Sequence, residues 1–470
     1  DNDKNLTTFT AGNPSTRTSM ESDGKFFWEA GDKIYVKDDN GAWHSSSNSP
    51  TGKTDNFKFK VPGTYTAHTS YDVYYPGQGG SNNQAVIAAS QSQAEPNTTT
   101  HFGAAGDCGM ATATKVSGKQ QFAFTLDHKA AYLLFLPRTA NTVLHDCYLT
   151  KVEVNSDDDI TDTYTLNPTT GELTGTGTGK QITLWIIGSG TYTNGFPLTN
   201  STASAATNGA YMVIKPGTHT LKVRYWVKDI ATGVEGTITK ILSSHTYAKN
   251  TYYDMMADLN VRDYDGDHYY MWDAQEQYWK GHEWWSANKD QPVLNSGSNS
   301  NYAQNNSDNR WFHEGGGYGR FDATQSCIGV PNANEMAWYI MKGDPRWDDF
   351  ELWTTMGHLY KSGMWFKKKS KISGFTDAHI PNNTSGDLRT QYYSITNSSL
   401  KPDLPSANDA GDYFFLPCLG RYYSGVLYYT GWGGFYWSST ALNYNSTMSY
   451  YLNFSSGGAV SYTHLRAHET

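Results

Sequence analysis

The chain is poor in charge and in long apolar runs, and each shortage excludes a class of protein. Only 17% of its 470 residues are charged, and the net charge is -9, so the composition gives no basic footprint for nucleic acid. The longest apolar run, Ala130–Leu136, is far shorter than the roughly 20 residues needed to span a bilayer. We therefore expect that run to be a buried strand.

Cysteines are too few and too scattered for a disulfide framework. Cys108, Cys147, Cys327 and Cys418 form no Cys-x-x-Cys pair, and no histidine lies at zinc-finger spacing from them. We expect isolated buried thiols or at most a single bridge.

Motifs of catalysis and of cofactor binding are missing as well. Gly315–Gly319 is not followed by the Lys-Ser/Thr of a phosphate loop, and neither His282 nor His313 begins an H-E-x-x-H helix. The loop Asp263–Asp267 has glycine fourth rather than sixth, so a solvated turn is expected there instead of a calcium site, and Asp157–Asp159 is a plain acidic triplet. We expect no enzyme, no catalytic residue, no cofactor and no metal.

Aromatic residues are abundant, and their distribution divides the chain. Eleven of the 15 Trp follow residue 260, which indicates a change of domain at that point. Before it, apolar and polar residues alternate with a period of two between turn residues, the pattern of antiparallel strands. The clearest examples are Asn56–Val61, Phe122–Leu126, Tyr148–Val154, Ile182–Ile187 and Thr220–Val227. This pattern predicts β-sandwiches, two in number, with a seam near Pro137–Asn141.

After residue 260 the pattern becomes mixed. Asn332–Lys342 predicts a short amphipathic helix that stops at Gly343. Short strands are expected at Asp412–Pro417, Gly434–Thr440 and Ser449–Phe454, and Ile380–Ala410 is expected to be a long surface loop. Together these features predict a compact α+β module.

Several segments of the first 260 residues are similar to one family. They are Thr16-Arg17-Thr18 before Trp28–Ile34, then Phe124–Phe135, Tyr148–Val154, Asn167–Leu173 and Gly209–Gly233. Over roughly residues 10–260 their order resembles the fimbrillin-like proteins of the Bacteroidetes. The resemblance implies a flexible leader (1–18) and two transthyretin-like antiparallel β-sandwich domains (19–138 and 139–260).

The same resemblance implies a function and a location. Fimbrillin-like subunits exchange strands with one another to form surface fimbriae, so other fimbrial subunits are the implied partners. Arg17 matches the processing point in the leader; the alternative is an ordinary exposed residue before the first strand. The implied location is the outer membrane and cell surface, with a possible lipid anchor upstream of Asp1.

The later part of the chain resembles a second family. Cys327–Pro331 followed by Asn334-Glu335-Met336, and Phe415–Gly458 with Tyr436–Thr440 inside it, are similar to the FISUMP-type (major paralogous) domain. This resemblance implies a C-type-lectin-like fold for residues 261–460. Ser461–Thr470 has no counterpart in that family and no strand pattern, so we expect a non-native read-through tail there.

The best functional lead is a run of aromatic residues in a glycine-rich segment. Tyr422, Tyr423, Tyr428, Tyr429 and Trp432 are candidate ligand-binding residues, because aromatic faces bind sugars and proteins well. The alternative is that most of them pack the core. We expect Trp432 to be exposed and Trp437 to be buried.

The sequence thus predicts a fimbrial subunit or adhesin that carries an aromatic-rich binding module. The alternative is a non-polymerising surface lipoprotein lectin that binds glycans or host proteins.

Overall fold

A computed structural model describes residues 5–12, 19–20, 26–315 and 317–465; the candidate processing residue Arg17 lies outside them. Strands make up 41% of the chain and helices 7%, so the fold is mainly β. The chain divides into two compact units. The first unit holds residues 1–233 and 238–260, and the second holds residues 234–237 and 261–470.

The first unit is built from strands and two short helices. Its strands are β1 (Leu6–Gly12), β2 (Ser19–Met20), β3 (Phe26–Phe27), β4 (Tyr35–Lys37), β5 (Trp43–Ser45), β6 (Asn56–Pro62), β7 (Ser70–Tyr75), β8 (Gln84–Ile87), β9 (Ser90–Gln93), β10 (Gly109–Lys115), β11 (Gln121–Phe124), β12 (Asp127–His128), β13 (Ala131–Arg138), β14 (Cys147–Ser156), β15 (Asp162–Asn167), β16 (Glu172–Thr174), β17 (Gln181–Ile186), β18 (Phe196–Pro197), β19 (Ala210–Ile214), β20 (Gly217–His219), β21 (Leu221–Asp229), β22 (Glu235–Ile241), β23 (His245–Tyr247) and β24 (Thr251–Asp258). The helices are α1 (Phe102–Ala105) and α2 (Ala205–Asn208).

These strands form several sheets, of which two are large. One has the order β5-β4-β7-β10-β11-β1-β6, and the other contains β22-β21-β14-β17-β9. A third sheet, β19-β13-β24, contains the apolar run, which is a buried strand as predicted. The five strands predicted from alternation are all present. Most strand pairs are antiparallel, as predicted, but β1 with β11, β13 with β24, and β17 with β9 pair in parallel.

The prediction of a flexible leader over residues 1–18 is wrong for Leu6–Gly12, which form strand β1. This strand lies between β11 and β6 in the first large sheet, and Phe9 and Ala11 are buried in the core of the first unit. The segment LTTFTAG has only two buried positions, Phe9 and Ala11, and the single residue between them is Thr10. Such a short segment looks polar in sequence. Its two inward-facing residues are nevertheless enough to set the register of β1 between β11 and β6.

The second unit has fewer regular elements and longer loops. Its elements are α3 (Ala333–Lys342), β25 (Arg346–Thr355), β26 (His358–Lys367), β27 (Ile395–Asn397), β28 (Tyr413–Pro417), β29 (Arg421–Tyr423), β30 (Val426–Tyr428), β31 (Gly434–Ala441), β32 (Met448–Ser455) and β33 (Gly458–Leu465). The sheet orders are β28-β26-β25, β27-β33-β32-β31 and β29-β30. Residues 234–237, which the sequence places in the second sandwich, belong here: Thr237 pairs in parallel with Glu351 and donates a 3.0 Å hydrogen bond to its carboxylate.

The predicted helix is confirmed as α3. Asn332 caps it by accepting a hydrogen bond from the Glu335 N–H, and the Glu335 carboxylate accepts one from the Asn332 N–H. Met336 and Ile340 are buried one turn apart, and the helix ends at Gly343. None of the helices in the described ranges is long and apolar enough to cross a membrane.

The C-terminal segment departs from the expectation of a tail without strand pattern. Strand β33 continues through Ser461 to Leu465, opposite β32 along its whole length. Ser461 is buried and faces Leu452 on one side and Ile395 on the other. Ile395–Asn397 is therefore strand β27 inside the predicted surface loop. The residues after Leu465 lie outside those described.

All four cysteines are buried and none forms a disulfide, which confirms the expectation of isolated buried thiols. Burial raises the pKa of the Cys147 and Cys327 thiols to about 12. A thiol with so high a pKa is an inert core residue at neutral pH.

Candidate functional site

The candidate aromatic residues lie on the hairpin β29–β30 and the turn that follows it. The hairpin turn consists of Ser424 and Gly425, both with positive φ (48° and 73°), which matches the right-handed twist of the flanking strands. Tyr423 faces Val426 across this turn.

A second tight turn then exposes Trp432. The carbonyl of Tyr429, itself at φ +64°, accepts hydrogen bonds from the N–H groups of Trp432 (2.8 Å) and Gly433 (2.9 Å). Gly431, at φ +81°, donates to the Cys418 carbonyl (2.8 Å), which ties the turn to the body of the unit. The indole of Trp432 is 76% exposed, so the prediction of an exposed tryptophan is confirmed.

Three of the candidate residues, Tyr428, Tyr429 and Trp432, share one concavity. This aromatic depression has a volume of about 450 Å³ and is lined by Leu294, Asn295, Val426, Leu427, Tyr428, Tyr429 and Trp432. Tyr428 and Tyr429 are 42% and 52% exposed, and their ring centroids are 6.1 Å apart. The depression thus offers exposed ring faces on a backbone fixed by two tight turns.

The polar edges of these residues have no partner in the described part of the chain. The hydroxyl groups of Tyr428 and Tyr429, the indole N–H of Trp432 and the side-chain amide of Asn295 make no hydrogen bond there. Asn295 is exposed and sits at φ +64°. Four hydrogen-bonding groups therefore border the depression and are available to a ligand.

Tyr422 is not part of this surface, and its prediction as a ligand-binding residue is wrong. It is fully buried, its hydroxyl donates to the Pro292 carbonyl, and its ring stacks on Tyr278 at 5.5 Å. The reason is strand alternation in β29, which turns Tyr422 inward and its neighbours outward.

Tyr423 and Trp437 also fall outside the depression. Tyr423 is 42% exposed, but it is not among the lining residues. Trp437 is buried as predicted: its indole N–H donates to the Tyr270 carbonyl (2.8 Å), and its ring packs edge-on against Tyr451.

Among the described residues, no charged side chain lines the aromatic depression. The nearest cation on this hairpin, Arg421, has its guanidinium 4.8 Å from the ring centre of Phe435 and 5.9 Å from that of Tyr429. Its Nη1 lies 3.3 Å from Nε2 of His464. The cation is thus held beside the rings of Phe435 and Tyr429.

A second concavity in this unit has a volume of about 420 Å³, and sequence reasoning missed it. It is lined by Arg262, Tyr264, Asp267, His268, Tyr269, Tyr270, Ser326, Cys327, Val330, Phe415, Leu416, Pro417, Leu419, Gly420, Phe435, Tyr436 and Trp437. These residues come from four separate stretches of chain, so no local motif could have indicated them.

The histidines considered as metal ligands are engaged with acidic neighbours. His282 lies 2.6 Å from Asp290, and His313 lies 2.7 Å from the buried Asp273. One group in the described residues, Asp157, Asp158 and His219, has its ligand atoms within 4.8 Å of one another.

Both ring nitrogens of that His219 are already in hydrogen-bonding contacts. Nδ1 faces Asp158 and Nε2 donates to the carbonyl of Lys215 (2.8 Å). Asp157 accepts from the Thr220 N–H. The arrangement ties two loops together.

In the predicted solvated turn, Asp263 and Asp265 are close neighbours. A hydrogen bond between the two carboxyl groups raises the pKa of Asp265.

No protein-family model matches the chain, and no curated protein matches it. Among solved structures it is similar to a "putative cell adhesion protein" from Bacteroides uniformis, at 17% identity, over 54% of this chain and 92% of that one, with a TM-score of 0.32. A second "putative cell adhesion protein", from Bacteroides ovatus, gives 15% identity over 54% and 93%, with a TM-score of 0.31. A fimbrial protein from Bacteroides ovatus gives 10% identity over 99% and 98%, with a TM-score of 0.28.

Proposed function

We propose that the chain is a surface fimbrial subunit or adhesin of fimbrillin-like type, which polymerises by exchanging strand β1 and presents the aromatic depression for adhesion. Its role is binding rather than catalysis. The observation that carries the proposal is the position of β1, an N-terminal strand inserted between two strands of a completed sheet.

Strand β1 makes ladders on both sides. It pairs antiparallel with β6 from Leu6 to Gly12 and parallel with β11 from Thr8 to Ala11. Phe9 stacks on Phe122 at 5.1 Å and meets Tyr65 edge-on at 5.3 Å. Loss of β1 would open two rows of backbone groups and an apolar slot, which is the acceptor that strand addition requires.

Each of the two strands that border this slot has hydrogen-bond partners other than β1. The outer wall, β6, is held on its far side by the segment after β5: Ser47 donates to the Lys60 carbonyl (2.7 Å), and the Asn48 amide donates to the Lys58 carbonyl (3.0 Å). The inner wall, β11, is paired with β10. The slot can therefore keep its shape when β1 leaves and admit a strand from another copy.

Cleavage after Arg17 would cut the covalent link between β1 and the rest of the unit. A strand of seven residues held only by pairing and two buried side chains can then be displaced by an equivalent strand at high local concentration. Proteolysis at this point thus couples processing to assembly.

The test is limited trypsin digestion of the purified chain, followed by electron microscopy and gel analysis without boiling. We expect ladders from the wild-type chain after cleavage at Arg17 and none from the matched Arg17→Ala variant. N-terminal sequencing identifies the cut. A chain cleaved at Arg17 that stays monomeric would overturn the polymerisation proposal.

The second candidate function, a non-polymerising surface lectin, is favoured by the aromatic depression itself. Its exposed rings sit on a separate unit that needs no strand exchange to form. A cleaved chain that stays monomeric and binds glycans would support this alternative.

A further inference from the structure

We infer that the aromatic depression binds an uncharged saccharide. This inference rests on the adhesive part of the proposed function and adds the ligand class. It comes from the shape of the site, the polar groups at its edge and its lack of charge.

The size of the site fits a small ligand. Its volume of about 450 Å³ lies within the roughly 300–1,000 Å³ that is usual for small-molecule sites. The depression is formed on tight turns, and main-chain hydrogen bonds hold the turn that carries Trp432. A sugar of one to three rings is the class of molecule that matches a shallow concavity with ring faces on its walls.

The chemistry of the lining fits the two kinds of surface on a pyranose ring. The C–H faces of a sugar pack on exposed aromatic rings, which Trp432, Tyr428 and Tyr429 provide. Sugar hydroxyls need hydrogen-bond partners around the rings. The two phenol hydroxyls, the indole N–H and the amide of Asn295 have no partner in the described chain and lie at that edge.

The lack of charge selects among saccharides. None of the seven lining residues is an aspartate, glutamate, lysine, arginine or histidine. An acidic sugar would lose hydration of its carboxylate or sulfate without gaining a paired cation in the depression. Arg421 is not a lining residue, and its guanidinium lies beside the rings of Phe435 and Tyr429. Neutral glycans are therefore preferred.

The experiment uses the full chain and isothermal titration with defined oligosaccharides. The neutral probes are cellotriose, xylotriose and N-acetyllactosamine, and the acidic probe is sialylated N-acetyllactosamine. We expect binding to at least one neutral probe and no tighter binding to the acidic one. Trp432→Ala should weaken binding at least about tenfold, as truncation of an aromatic anchor does.

Two matched variants separate the site from general loss of an aromatic residue. Trp285 is 49% exposed elsewhere in the same unit, and Tyr423 has the same exposure as Tyr428 but lies outside the lining. Trp285→Ala and Tyr423→Ala should bind normally, whereas Tyr428→Ala should weaken binding. Thermal melts of all four variants check that each is folded.

Several outcomes would overturn the inference. They are no binding to any neutral probe at about 10 mM, tighter binding to the acidic probe, binding of purified matrix proteins only, or equal loss in Tyr423→Ala and Tyr428→Ala. Strand exchange is measured separately by trypsin ladders. A failure here with ladders intact would leave the fimbrial proposal standing and remove only the saccharide.

Discussion

The two units hold their backbones in different ways. In the first unit nearly half of the residues lie in strands, and ladders such as β14 with β21 satisfy the backbone polar groups. The indole N–H of its buried Trp28 makes no hydrogen bond in the described chain. Tryptophan there fills volume, while the sheets supply the hydrogen bonds.

In the second unit, most tryptophans both fill volume and donate a hydrogen bond, whereas the indole N–H of the buried Trp279 makes none in the described residues. The indole N–H of Trp272 donates to the Ser438 carbonyl (2.8 Å), and that of Trp338 donates to the His379 carbonyl (2.8 Å). In each case one indole fixes a segment far away in sequence. A fold with long irregular loops needs such ties, because loop carbonyls have no ladder to satisfy them.

This difference teaches how to sort the aromatic residues of the second unit. Most are structural, and their polar edges are bonded inside the unit, as for Trp437 and Tyr422. A binding candidate is recognised by an exposed face together with an unbonded edge. Trp432 meets both conditions.

The largest expected effect on stability comes from removing a buried tryptophan of the second unit together with its indole hydrogen bond. Trp437→Ala removes a buried ring and its hydrogen bond to Tyr270, and it should destabilise the second unit by about 4–5 kcal/mol. Urea unfolding followed by fluorescence measures the loss. Trp437→Phe is the control: it keeps most of the packing and loses the N–H, so it should cost clearly less. A cost below about 1 kcal/mol for Trp437→Ala would contradict the burial.

A core change in the first unit should cost slightly less, because no side-chain hydrogen bond is lost. Phe9→Ala leaves a cavity between Phe122 and Tyr65 and should destabilise the first unit by about 3–4 kcal/mol. Thr8→Ala, one residue away on the outward side of β1, is the matched control and should change stability little. Equal effects of the two changes would mean that β1 is not seated in solution as described.

The third effect depends on pH and belongs to the first unit. His101 donates from Nε2 to the Tyr211 carbonyl (2.8 Å), and its Nδ1 is buried without a partner. Burial lowers the pKa of His101 to about 4, from an ordinary value of 6.5. Between pH 6.5 and pH 4, His101 is protonated in the unfolded chain but not in the folded chain. The free energy of unfolding therefore falls as the pH drops from 6.5 to 4, and it stays constant below pH 4.

We expect this loss to be about 2 kcal/mol, because His101 is half-buried and solvent screens part of the effect. The measurement is urea unfolding of the wild type and of His101→Gln at pH 7, 5.5 and 4. Glutamine keeps a donor for Tyr211 and cannot titrate in this range. If both chains lose stability in parallel, His101 is not the source.

Sequence patterns predicted the regular elements well and the contacts between distant segments poorly. Strands with four or more alternating residues, such as Tyr148–Val154, and the capped helix at Asn332 could be recognised because the pattern is local. Strand β1 could not, because its pairing partners are about 50 and 110 residues away and three of its seven residues are threonine. Trp432 was predicted as exposed from its flanking glycines, whereas Tyr422 was misplaced because a three-residue strand gives too little alternation to show which side faces inward.

The smallest expected effect is the one that sharpens the comparison most. Trp432→Ala should change the stability of the second unit by about 0.5 kcal/mol or less, as surface substitutions usually do. The turn that carries Trp432 is held by main-chain hydrogen bonds to the Tyr429 carbonyl and by the positive φ of Gly431, and alanine keeps both. The indole N–H makes no bond to be lost, in contrast to that of Trp437. Thermal and urea unfolding of the two alanine variants side by side is the measurement. If Trp432→Ala unfolds the second unit while Trp437→Ala leaves it intact, the assignments of binding surface and core are inverted.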